Sequence, residues 1–182
     1  MGRELVDQLD WHWQQQLRPR LEGLSNDEYF WEPVANCWSI RRRDGRTDPQ
    51  LHGSDDWATE YTFDEYEQEP FTTIAWRLGH VIVDVFLIRV GRHFGGSVLD
   101  DETFAYAGSA GEALGQLDEA YAAWVAGVLS LDGEDLRRPC GSREPHRPEA
   151  SMAELVLHIN REAIHHGAEI ALLRDLYAHG LR

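Results

Sequence analysis

Lysine is absent from the 182 residues, and all 17 basic side chains are arginine. A Schiff-base lysine and a phosphate-binding P-loop, which depends on its lysine, are therefore excluded. Positive charge is also scarce: 32 acidic residues leave a net charge of −15. Nonspecific nucleic-acid binding and attraction to an anionic membrane surface both need a dense basic face, so neither partner is expected. Cysteine is nearly absent. Cys37 and Cys140 form no CxxC pair and imply no disulfide framework, which points to a reducing cytoplasm. Long apolar runs are missing too. The longest, Val81 to Ile88, is broken by Asp84 and is too short to span a bilayer, and the acidic N-terminus has no apolar core of a signal peptide. What is present is a core: 42% of residues are apolar, with seven Trp, six Tyr and six Phe. One soluble, cytoplasmic domain over residues 1–182 is expected.

Apolar spacing then gives the elements. Leu5, Leu9, Trp13, Leu17 and Leu21 recur at four-residue steps and predict a first helix over 4–22, with Pro19 kinking its last turn and Gly23 ending it. Residues 31–70 lose helical period. Within them, 38–43 and 57–61 could pair as a small hairpin, and the acidic run Asp64 to Glu69 reads as a solvated segment. Ile74, Leu78, Val81, Val85 and Ile88 predict a second helix from near Thr72 to about His93. A third spans about Ala110 to Leu129. A fourth spans about Ser151 to Ala178, opened by the capping-box pattern Ser151-Met152-Ala153-Glu154 and closed by Gly180. The expected fold is all-α, a four-helix bundle with a non-helical insertion between helices one and two.

The chemistry-bearing stretch lies in the fourth helix. His158, Glu162 and His166 fall one turn apart on one face, and a carboxylate and an imidazole so spaced can grip one divalent ion. A bundle site draws further ligands from a facing helix, and His80, in the apolar setting Leu78-Gly79-His80-Val81-Ile82, is the candidate. Asp84, one turn after His80, could orient it by a hydrogen bond, or could simply be a solvent-facing acid. His158 is a rival ligand or a supporting residue. Equally, the polar row could be hydrogen-bonded core with no metal at all. Arg161-Glu162-Ala163-Ile164-His165 lacks the first histidine of HExxH, so a zincin protease is not supported. Trp38 and Trp76 read as core, with a pocket wall as the alternative, Cys37 and Cys140 as inert thiols, and Arg41-Arg42-Arg43 as a surface spot offsetting acidic neighbours.

The segment Leu155 to Arg174, with its His-x3-Glu-x3-His row, His-His-Gly and downstream Leu-Leu-Arg, resembles the last helix of the DinB-like (DinB/YfiT) superfamily. Glu32-Pro33 followed by Trp38-Ser39-Ile40, Leu78-Gly79-His80, and Leu9-x-Trp11-His12 with Leu24-Ser25-Asn26-Asp27-Glu28 resemble its first half. The resemblance implies an up-down-down-up four-helix bundle holding a divalent metal, zinc or nickel, through His80, Glu162 and His166. Most members carry histidine at the position of Glu162. The His-Glu-His set is similar to the mycothiol-dependent maleylpyruvate isomerase branch. It implies a metal that activates a low-molecular-weight thiol for transfer to, or isomerisation of, a small electrophile, in a chain that could form a homodimer. The insertion 41–69, absent from the usual spacing, could cover the metal mouth. The alternatives are a metal-dependent hydrolase and a non-catalytic bundle that binds a metal or small molecule.

Overall fold

A computed structural model describes residues 2–44, 50–62, 70–97 and 99–180. The acidic run 64–69 lies outside the described residues. The chain is mostly helical. Helix α1 comprises Gly2–His12, a π-helical segment Trp13–Leu17 and a last turn Arg18–Arg20. Pro19 has no N–H for the carbonyl of Gln15 and its ring crowds that carbonyl, so the ladder widens just upstream instead of breaking. A short helix α2, Asn26–Tyr29, starts at Ser25, whose hydroxyl accepts from the Glu28 amide.

Helix α3 runs as Ile74–His80, a π-helical stretch Val81–Leu87 and Ile88–His93. Thr73 caps it by accepting from the Trp76 amide. Helix α4 is Ala110–Leu129, capped by Ser109. Helix α5 is Met152–Ala178 and begins with the expected capping box of Ser151 and Glu154. Helices α1 and α3 each pack on both α4 and α5. Leu9, Trp13, Leu17 and Leu21, the α1 stripe, are all buried, together with Leu78, Ile82, Phe86, Leu117, Trp124 and Ile159. The Trp13 and Tyr121 rings stack with centroids 3.8 Å apart, fastening α1 to α4. Gly167 lets α5 approach α1: a Cβ there would sit 2.8 Å from Leu17 Cδ2.

The fold is not purely helical. Segments 40–42 and 57–60 do pair, and a third strand joins them. Strands β1 (Ile40–Arg42), β2 (Leu51–His52) and β3 (Trp57–Glu60) form an antiparallel sheet in the order β1-β3-β2, with Ile40 opposite Thr59 and Leu51 opposite Glu60. The reason is tertiary: the sheet is stitched to the start of α3. Trp38 and residues 71–73 exchange backbone hydrogen bonds of 2.9 Å, the Ser39 and Thr73 hydroxyls lie 2.9 Å apart, and Ile40 is buried. Arg41, expected on the surface, is half-buried and bridges Glu32 at 2.6 Å and Glu60 at 2.9 Å.

Candidate functional site

The sheet positions the site through one residue. Trp76, on the first turn of α3, donates its indole N–H to the Glu60 carbonyl at 2.7 Å. Held there, its ring stacks on His80 one turn later, with centroids 5.3 Å apart and planes 11° apart. Trp76 is therefore a wall beside His80, the alternative to its first reading as core. Gly79 serves the same spot, because a Cβ would lie 3.1 Å from the Tyr106 ring that packs there.

His80 Nδ1 lies 2.9 Å from Asp84 Oδ2. With Nδ1 held by the carboxylate, Nε2 is the ring nitrogen left for other chemistry. Across the helix pair, His166 meets His80 edge to face with centroids 4.7 Å apart. Its Nδ1 lies 2.7 Å from Glu169 Oε2 and its Nε2 3.7 Å from Glu162 Oε2. Burial, opposed by Glu169 and assisted by the nearby His80, holds His166 below its ordinary pKa, so the ring is neutral at pH 7. Burial pushes Glu162 up, but a hydrogen bond from Arg161 and the electrostatic pull of the neighbouring His158 bring it below the usual carboxyl range. Arg161 takes Oε1 of Glu162 at 3.1 Å, leaving Oε2 on the His166 side. His158 is turned to the same Arg161, 2.6 Å away, and lies 3.4 Å from Glu162 Oε1.

Among the described residues, the three ligand atoms lying within 4.8 Å of one another come from a different set, His165, His166 and Glu169. That set already holds a cation. Arg77 Nη1 lies 3.0 Å from Glu169 Oε2 and 3.4 Å from His166 Nδ1, and His165 is 63% exposed. A metal ion there would have to displace a guanidinium. On the Nε2 side, His80, Glu162 and His166 offer two imidazole nitrogens and a carboxylate oxygen, a donor set that suits a divalent ion, with no arginine on the atoms concerned.

A family model for the DinB superfamily matches residues 8–170. The chain belongs to the DinB superfamily. No curated protein and no solved structure matches it. Arg174, at the end of Leu172-Leu173-Arg174, pairs with Glu28 through Nε–Oε1 at 2.6 Å and Nη2–Oε2 at 3.1 Å.

Beside His80 a cleft of about 530 Å³ opens, walled by Tyr61, Trp76 and Tyr106 and extending to Arg89 and Arg92. Its size is that of an ordinary small-molecule site. Tyr106 donates to Asp101 at 2.9 Å. Burial, reinforced by the charge of Asp101, pushes the Tyr106 hydroxyl well up, so it remains a donor. Asp101 is itself raised by burial and then by Asp84. Glu169 could have been found by its one-turn spacing from His166. Tyr106, Asp101, Arg89 and Arg92 gave no signal, because only tertiary packing brings them to the cleft. Cys37 and Cys140 are buried free thiols whose pKa burial raises, the opposite of an activated nucleophile.

Proposed function

We propose that this chain is a metal-dependent enzyme of the DinB superfamily, with a divalent ion, zinc or nickel, held by His80, Glu162 and His166 on an up-down-down-up bundle. It would activate a small thiol of the mycothiol type for transfer to, or isomerisation of, a small electrophile. The observation that carries the reading is the paired orientation of two imidazoles from separate helices. Asp84 holds Nδ1 of one and Glu169 holds Nδ1 of the other, which leaves both Nε2 atoms as ligands. The chemistry such an ion supplies is Lewis acidity, which lowers the pKa of a thiol near neutral pH.

The protein's own residues do the rest. Asp84 and Glu169 fix the tautomer and direction of the two rings, while Trp76 keeps the His80 ring from turning. Tyr61, Trp76 and Tyr106 give the electrophile an apolar wall and exclude water from one side of the cleft. The nucleophile is assigned to a small molecule because neither buried cysteine is suited to the role.

Metal content measured on protein purified without chelators tests the reading. One ion per chain is expected in the wild type and in His165→Ala, and loss of the ion in His80→Ala and His166→Ala. Retention in His166→Ala would sink the ligand assignment. Loss in His165→Ala with retention in His80→Ala would move the ion to the Glu169 cluster. A thiol-conjugation screen on the loaded protein then tests the chemistry.

A further inference from the structure

The far end of the cleft carries arginine hydrogen-bonding capacity that the protein itself does not use. Arg89 lines this cleft and also a smaller neighbouring cavity. Among the described residues its one hydrogen bond goes from Nη1 to the carbonyl of Asp84, and its buried Nε, on the side of Glu144, has no hydrogen-bond partner. A guanidinium has five N–H donors, so most of this one is unspent. Arg92, one turn on, makes no hydrogen bond among the described residues. Both arginines face one carboxylate, Glu144, at 3.7 and 3.8 Å, beyond hydrogen-bond reach. The close partner of Glu144 is His93 Nε2, at 3.1 Å. Two guanidinium groups thus stand over one carboxylate that is already hydrogen-bonded elsewhere. Glu144 thus supplies both with opposite charge but takes no N–H donor from either, and spare guanidinium donors beside a cleft suit an anion.

We infer that the cleft holds a small organic carboxylate, its acid group on Arg89 and Arg92 and its apolar body against Tyr61, Trp76 and Tyr106. The acids of the cleft do not oppose this arrangement. Asp84 is engaged by His80 at 2.9 Å and Asp101 by the Tyr106 hydroxyl at 2.9 Å. A carboxylate anchored on the arginines places the remainder of the molecule toward His80, because Arg89 reaches back to the Asp84 carbonyl, one turn from that histidine. A planar carboxylate suits the fork of a guanidinium, which fixes orientation as well as charge. The inference names the substrate class of the site proposed above and rests on that reading for its chemistry, while the binding itself needs no metal.

The test titrates the chelator-treated chain with benzoate and 3-phenylpropionate and with the matching amides, following tryptophan fluorescence and heat. Without metal, a carboxylate cannot bind by ligating one. The acids should bind at least about tenfold more tightly than the amides, the ratio expected for a lost charged hydrogen bond. Arg89→Gln and Arg92→Gln should each bring the acids toward the affinity of the amides and leave the amides unchanged. Melting curves show that the variants fold, and Arg92→Gln, on the more exposed side chain, is the safer of the two. Equal binding of acids and amides, no binding of either, or arginine variants with unchanged acid affinity would overturn the inference. Metal content is measured on the same preparations before chelator treatment, so loss of the metal reading with carboxylate selectivity intact is distinguishable from the reverse.

Discussion

Replacing Arg174 with methionine strands a carboxylate. Glu28 is 8% exposed, and Arg174, 18% exposed, grips both its oxygens at 2.6 and 3.1 Å. Arg174 also donates to the carbonyls of Arg20 and Glu22, so one side chain of α5 ties down the end of α1, the turn after it and α2. Removing one partner of a buried pair costs about 3–5 kcal/mol, and the partial exposure of Arg174 puts this case near the low end, about 3 kcal/mol. For a chain of this size that lowers the melting temperature by about 6–12 °C. The reverse substitution, Glu28→Met, should cost less, about 1–2 kcal/mol, because Arg174 keeps its two carbonyl acceptors and some water. The double substitution Glu28→Met/Arg174→Met leaves no stranded charge and should recover most of the loss of Arg174→Met. Urea unfolding followed by far-ultraviolet circular dichroism reads all three. A loss below about 1 kcal/mol for Arg174→Met, or a double variant as unstable as the sum of the singles, would refute the reasoning.

Two further outcomes are expected. Asp84→Ala should weaken metal binding by about 10–100-fold, as removal of an orienting carboxylate does, while His80 still ligates; competition with a chromophoric chelator measures it, and unchanged affinity would show that Asp84 does not orient His80. His12 has a buried Nδ1 without a partner, and burial lowers its pKa. The unfolded chain therefore binds near pH 6.5 a proton that the folded chain resists, so this contribution to stability is complete above pH 6.5 and is lost as pH falls below it. His12→Leu should flatten that part of the profile of melting temperature between pH 5 and 8, and an unchanged slope would count against it.

The helices were legible because each carries its own period and its own cap. The Ser151 capping box, the expected helix start near Thr72 and the apolar stripe from Leu9 to Leu21 are local signals, and the structure follows them within about two residues. The one-turn spacing of His158, Glu162 and His166 was legible for the same reason. The sheet was only half visible. Strand β2 is two residues long, too short for any alternating pattern, and exists because β3 offers it an edge.

Local sequence, then, determined which segments are helical, where they begin, and which polar residues share a face, since caps and periodicity act over one or two turns. Tertiary structure alone decided which polar residue serves which. It turned Trp76 from core into the wall of His80 by way of the Glu60 carbonyl, and put Glu169 on His166 with Arg77 behind it. It also brought Arg89 and Arg92 to the cleft that contains Tyr61 and Tyr106. Such meetings depend on how the helices and the small sheet dock, and docking is set by the sum of many buried contacts rather than by any short stretch of residues.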